Sequence, residues 1–369
     1  MNRIKFDKKL FALIILLFII GVIFVYSASW PYAQRLNYAS NYFAKKQLIF
    51  GIIGIISMIL ISFIDYRVYK KFSLVIYLLS LILLILIFTP LSSDYGTFAR
   101  RWLNLGPISF MPSDFMKGAS ILLMASYLSK NKKMRTDLKK GLLIVLIIIA
   151  ITIIPIYLQP NLSTTLVIAL TLGAMYFLSG MKISHFVVSS TLFVVSVIYF
   201  IFFSGADYRK NRVLAFLDPL KDFHDKGWQL SQALFAVTTG GVFGQGLGMS
   251  RQKYLYLSEA HNDFIFSIIA EETGIVGAFI IIILFFYFIR LGLAIAKDAK
   301  NEFGRFLASG ITLSIGIQAA INIGVSFGAI PPTGLVLPFI SYGGTSLIIT
   351  FIMSGVLLNI SKDRYRNEE

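Results

Sequence analysis

Asp263 closes the triplet His261-Asn262-Asp263 directly before the apolar run Phe264-Ile265-Phe266. A carboxylate at such a boundary fits two roles. It can accept backbone N–H bonds as a helix cap, or it can take a proton as general base at the mouth of a cavity. Lys117 lies inside another apolar run, shortly after Pro112. An ammonium group is costly there. It can reach for the interface, pair with Asp114 one helical turn earlier, or stabilise an anion. Glu271 and Glu272 lie deeper, where two adjacent acids suit either a proton path or polar packing against a partner. Arg209, Lys210 and Arg212 make a basic run that fits lipid headgroups or, through the planar fork of Arg, a pyrophosphate. Arg100-Arg101-Trp102 and Gln159-Pro160-Asn161 stand at the ends of apolar runs, as cavity walls or as interfacial anchors.

Other chemistries are disfavoured by what is missing. The chain has no Cys, so thiolate chemistry and Cys-ligated metals are absent. Its three His residues, His185, His224 and His261, are far apart in sequence and argue against the usual catalytic zinc site. Gly244-Gln245-Gly246-Leu247-Gly248 has the look of a nucleotide loop, but no strand precedes it. Those glycines suit a tight, close-packed turn instead.

The elements that must position these groups follow from composition. Of 369 residues 57% are hydrophobic and only 14% charged, against about 25% charged in soluble domains. The apolar residues are gathered into long runs that one water-soluble core could not hide. The expected fold is all-α: one polytopic membrane domain over residues 1–369. Runs long enough to cross a bilayer are read at 10–29, 47–64, 73–90, 113–128, 141–158, 163–179, 185–203, 275–291, 306–326 and 343–360. The first, although followed by Ser27-Ala28-Ser29, is too long for a usual signal peptide and is read as a retained helix. With the N-terminus inside, most Lys and Arg fall on the inner side, which predicts an N-in, C-in chain. The formal charge of +16 is then a matter of orientation and not of nucleic-acid binding. Residues 204–263 become one large structured extracytoplasmic loop.

The stretch 264–292 is too long for one straight span: about 43 Å at 1.5 Å per residue, against a hydrocarbon core of about 30 Å. It is interrupted by Glu271-Glu272-Thr273-Gly274. The expected solution is a half-buried segment, 264–272, entering from outside, a break near Gly274, and a true span from Ile275. Irregular backbone at that depth needs protein or a cavity around it, which places a cavity beside Asp263 and brings Asp263 toward Lys117.

In order along the chain come Ala99-Arg100-Arg101-Trp102-Leu103-Asn104-Leu105-Gly106-Pro107, Pro112-Ser113-Asp114-Phe115-Met116-Lys117 and Gln159-Pro160-Asn161-Leu162. Further on are Tyr208-Arg209 through Asp218-Pro219, Ser250-Arg251-Gln252-Lys253-Tyr254, Glu259-Ala260-His261-Asn262-Asp263 and Leu337-Pro338-Phe339-Ile340-Ser341-Tyr342-Gly343-Gly344. This series closely resembles the SEDS family of shape, elongation, division and sporulation proteins, and within it the FtsW/SpoVE branch. The resemblance implies ten transmembrane helices in the bacterial cell membrane. It also implies a peptidoglycan glycosyltransferase that uses lipid II on the outer face, with a class B penicillin-binding protein and other division proteins as partners.

By the same resemblance the essential Asp falls on Asp263 and the fourth-helix Lys on Lys117. Arg209, Arg212, Trp102, Arg101, Gln159, His261 and Ser341 are expected around the substrate. No organic cofactor is implied; a divalent cation, Mg or Mn, could assist the departing pyrophosphate. Two departures stand out. Met111-Pro112-Ser113-Asp114 replaces the family's Gln-Pro-Ser-Glu, and Asn161 replaces the Asp of Gln-Pro-Asp-Leu-Gly-Thr, so no essential proton transfer is assigned to Asn161. A lipid II flippase and a non-catalytic division scaffold are the alternatives.

Overall fold

The computed structural model describes residues 6–90, 92–93, 101–105, 108–130, 132–202, 216, 227–254 and 256–365. Helices follow one another as α1 (Lys8–Arg35), α2 (Tyr42–Phe63), α3 (Tyr66–Ile85), α4 (Pro112–Leu128), the short α5 (Lys132–Arg135), α6 (Ile144–Leu158), α7 (Leu162–Leu178) and α8 (Ile183–Phe202). After them come α9 (Trp228–Gly240), α10 (Ile265–Asp298), α11 (Glu302–Ser326) and α12 (Gly344–Tyr365). Every apolar run read from the sequence folds as a helix. Among the described residues seven helical segments are long and apolar enough to cross a membrane.

The architecture is that of a membrane protein built around α11, which is 78% buried over its most apolar window, whereas α2 and α3 are only 28% buried. Along α2 the large apolar side chains Ile49, Ile52, Ile56 and Leu60 point outward, as they must where the solvent is hydrocarbon. α11 packs against α10, α4 and α7, and α12 lies along α2.

The fold is not purely helical. A small antiparallel sheet, β1 (Ser92–Ser93), β2 (Trp102–Leu105) and β3 (Ile108–Phe110), links α3 to α4 in the order β1-β2-β3. Such short strands leave too few alternating residues for a pattern to register in the sequence.

Helix α10 carries the expected break. Gly274 has φ of 69° and ψ of −168°, outside helical geometry. In an unbroken helix the N–H groups of Ile275 and Val276 would bond to the carbonyls of Glu271 and Glu272. Here they bond to Gly241 O and Val242 O, at 3.0 and 3.2 Å. The vacated carbonyls of Glu271 and Glu272 accept from Gln245 N and Gly246 N, at 2.9 and 3.0 Å. The glycine-rich turn is thus spliced into the helix break, and four hydrogen bonds take the place of the two helical ones from Ile275 and Val276. Only glycine fits at the join: a Cβ on Gly274 would collide with Val242 O and Gly244 N, and one on Gly244 with the Glu272 carbonyl.

Candidate active site

Asp263 ends the loop that leads into α10, and it is half-buried. The N-cap position of α10 is Phe264, so Asp263 stands one residue before the place a capping carboxylate would occupy. Its loop is fastened from three directions. The Asn322 amide on α11 donates to Asp263 O at 2.8 Å. The Ser341 hydroxyl donates to Asn262 O at 2.6 Å and accepts from Leu337 N at 2.7 Å. Tyr342 N donates to His261 O at 3.0 Å. Beneath the loop Leu257, Ala260 and Phe264 pack with Ala28, Ile268 and Leu335 in a small apolar cluster. The carboxylate itself lies against the turn at Gly334, 3.5 Å from where a Cβ there would stand.

Lys117 is buried on α4 and donates to Gln318 Oε1 at 2.7 Å. Its Nζ also lies 3.6 Å from Asp114 Oδ1, so the structural pair with Asp114 is present and a second, neutral partner is added. The other end of Gln318 donates to Val336 O at 2.9 Å, and Asn322 donates to the adjacent Leu335 O as well as to Asp263 O. Gln318 and Asn322 are four apart on α11, which places them one above the other on one helix face. Two amides and one extended segment therefore tie the cation of α4 to the loop that carries Asp263.

Neither amide was expected from the sequence. The available signal was their i, i+4 spacing inside the otherwise apolar run 306–326.

The remaining expected residues divide by position. Ser341 is buried and both functions of its hydroxyl are engaged within the loop, so it acts on Asp263 through Asn262. His261 is 4% exposed, with ring centroids 4.6 Å from Phe43, 5.4 Å from Tyr32 and 5.7 Å from Tyr342. Burial lowers its pKa to about 4, so the ring is neutral at pH 7 and is no cation for a phosphate.

Gln159 is buried and donates to Leu84 O at 3.0 Å, tying α6 to the end of α3. Arg101 donates to Pro160 O, and Trp102 opens β2, half-buried. Asn161 caps α7 through Thr164 N at 3.3 Å and donates to Ser113 Oγ at 3.4 Å, while the Ser163 hydroxyl donates to Thr333 O. The first turn of α7 thereby meets the 333–336 segment, which borders Asp263, and the first turn of α4 meets the cap of α7. Arg209 and Arg212 lie outside the described residues, as does Lys210. Among the described residues no group of three or more His, Asp or Glu side chains could hold a metal ion.

Glu271 and Glu272 are buried, and their carboxylates are engaged by the preceding loop. Glu272 pairs with Lys253 at 2.9 Å, and Glu271 accepts from Arg251 N at 2.8 Å and from the Ser250 hydroxyl.

The FtsW, RodA and SpoVE family model, described as cell cycle protein, matches residues 7–366. The chain belongs to this family. Among its SEDS relatives, stage V sporulation protein E of Bacillus subtilis is 40% identical over 356 residues, covering 96% of this chain and 97% of that one. The probable peptidoglycan glycosyltransferase FtsW of Geobacter sulfurreducens is 36% identical over 357 residues, covering 97% and 95%. A solved structure on the coordination of polymerization and crosslinking by a peptidoglycan synthase complex contains a chain of TM-score 0.81. That chain is 26% identical, with 98% of this chain and 99% of that one covered. The SEDS membership expected from the motifs holds over nearly the whole length.

Proposed function

We propose that this chain is a peptidoglycan glycosyltransferase that polymerises lipid II on the outer face of the bacterial cell membrane, with Asp263 as general base. The observation that carries the reading is the pinned loop. A half-buried carboxylate is held through its backbone by Asn322, one helical turn from Gln318, which holds the ammonium of Lys117.

In the reaction an acceptor sugar hydroxyl attacks the anomeric carbon of a second lipid-linked sugar. The new C–O bond forms as the bond to the lipid pyrophosphate breaks, and Asp263 takes the hydroxyl proton. The pyrophosphate leaves as an anion and needs charge stabilisation more than a proton. Lys117 is the cation assigned to that anion, with Arg209 and Arg212 as further candidates by their residue type. A divalent cation, when bound, would add Lewis-acid stabilisation of the same anion; no step above depends on it.

Ten membrane crossings, with both termini inside, complete the reading. The names of the relatives support the reaction, and a class B penicillin-binding protein is the proposed partner, consistent with a structural neighbour drawn from a synthase complex. A flippase would need Glu271 and Glu272 as polar steps toward the inner face. Their engagement by Ser250, Arg251 and Lys253 favours the enzyme instead.

The test is polymerisation of purified lipid II by the full chain, with and without its transpeptidase partner. Glycan strands from the wild type and none from Asp263→Asn are expected. Equal strand yield from both would remove Asp263 from the chemistry, and lipid II translocation without polymer would replace the enzyme with a transporter.

A further inference from the structure

Several buried groups that the proposed chemistry leaves unused form one cluster. The Ser27 hydroxyl on α1 meets both carboxylate oxygens of Glu272, at 2.6 and 2.8 Å. Lys253 Nζ donates to Glu272 Oε1 at 2.9 Å and to Ser27 Oγ at 3.3 Å, and also to Gly248 O. Both side chains of that ion pair are 0% exposed. Next to it Glu271 gathers Arg251 N, Gln252 N and the Ser250 hydroxyl. Two carboxylates on α10 and one hydroxyl on α1 thus hold the chain at 250–253, about ten residues before Asp263.

The same outer end of α1 reaches the other anchor of that loop. The Trp30 ring lies 5.8 Å from Lys253 Nζ and meets Tyr254 edge-on at 5.4 Å, and the Tyr32 ring lies tilted against His261 at 5.4 Å. Residues 27–32 of α1 therefore touch the loop near its start, at Lys253 and Tyr254, and at its end beside Asp263. A buried ion pair is a poor source of stability compared with apolar packing of equal volume, and its best-attested use is to fix register.

We propose that Lys253, Glu272 and Ser27 are positioning residues for Asp263: the buried ion pair registers the Asp263 loop against α1. A shift at the outer end of α1 then moves the general base. This rests on the reading of Asp263 given above, but the placement of the loop can be measured without it.

The chain has no Cys, so Asp263→Cys introduces a single thiol whose reaction with a membrane-impermeant maleimide reports where the loop sits. Full-length protein in lipid nanodiscs is compared with and without Ser27→Ala or Glu272→Gln, and with the paired neutral change Lys253→Met/Glu272→Gln. We expect each change to alter the labelling rate by at least about three-fold while the melting temperature of the paired variant stays near that of the parent. In the Asp263 background kcat for lipid II should fall about ten-fold or more in Glu272→Gln and in the paired variant, with KM within about two-fold.

Rescue of both labelling rate and kcat by the paired change would make the cluster a stability element only and overturn the proposal. So would an unchanged labelling rate in Ser27→Ala and Glu272→Gln. Altered labelling with unchanged kcat would leave the positioning role standing and remove Asp263 from the chemistry instead.

Discussion

At the scale of residues the proposed site joins the backbone of Asp263 to the ammonium of Lys117 through the amides of Asn322 and Gln318, with Asp114 as the second partner of that ammonium. Removing a general base costs about 10²–10⁴-fold in rate. Asp263→Asn should show that loss in a lipid II polymerisation assay with little change in melting temperature, because Asn322, Ser341 and Tyr342 fasten the loop through backbone atoms of residues 261–263, which the substitution leaves in place. Gln318→Leu removes the acceptor of Lys117 and the donor to Val336 O together. It should depress kcat about ten-fold or more, and Lys117→Arg should retain only part of the activity because the guanidinium is a planar fork and not a point charge. Kinetics of both variants at saturating lipid II would decide.

His261 gives a test of stability. Its folded pKa lies near 4 against 6.5 for the free side chain, so the unfolded chain binds the proton first as pH falls. The contribution to stability is complete above about pH 6.5 and is lost progressively between there and pH 4. Between pH 7 and pH 5 the loss is about 2 kcal/mol at 1.36 kcal/mol per unit. Thermal melts of wild type and His261→Phe across that range should diverge, with the variant the flatter of the two.

Among elements, α10 and the turn that completes it are one unit. Gly274→Ala would force a side chain into the left-handed region and against the backbone of the inserted turn. Unfavourable backbone alone costs about 1–3 kcal/mol, and the collision adds to it, so a lowered melting temperature and lost polymerisation are expected together. A variant with wild-type melting would mean that the turn can leave the break at little cost. The break was legible in the sequence because twenty-nine mostly apolar residues, interrupted within their length by two acids and a glycine, cannot make a single economical span. What fills it was not legible. The donors to Glu271 and Glu272 come from residues 245–253 and from Ser27, more than two hundred positions away, and no local pattern announces such a pairing. Asp263 and Lys117 stood out because charge in an apolar run is rare. Gln318 and Asn322 did not, since neutral polar groups are ordinary inside helical bundles, and their importance lies in which carbonyls they meet.

For the whole molecule the open question is which way the chain lies in the bilayer. A chain without Cys suits thiol mapping. Phe243 is 84% exposed in the turn beside the α10 break, and Lys139 is exposed on the opposite side of the predicted topology. Phe243→Cys should react with an impermeant reagent in intact spheroplasts, and Lys139→Cys only after the membrane is opened. The reverse pattern would invert the topology and put the Asp263 loop in the cytoplasm, where externally supplied lipid-linked acceptor could not reach it.

The inserted turn has a further effect on how the molecule breathes. Ile275 and Val276 lie in the middle of a helix of 34 residues, yet their amide protons are held by Gly241 and Val242. Deuterium uptake at those two positions is governed by departure of the turn and not by fraying of α10, so two amides deep in a long helix act as a clock for motion in a loop outside it. Slow exchange there, with faster exchange through 256–260, would mean that the frame of the loop stays closed while the arc between its anchors moves.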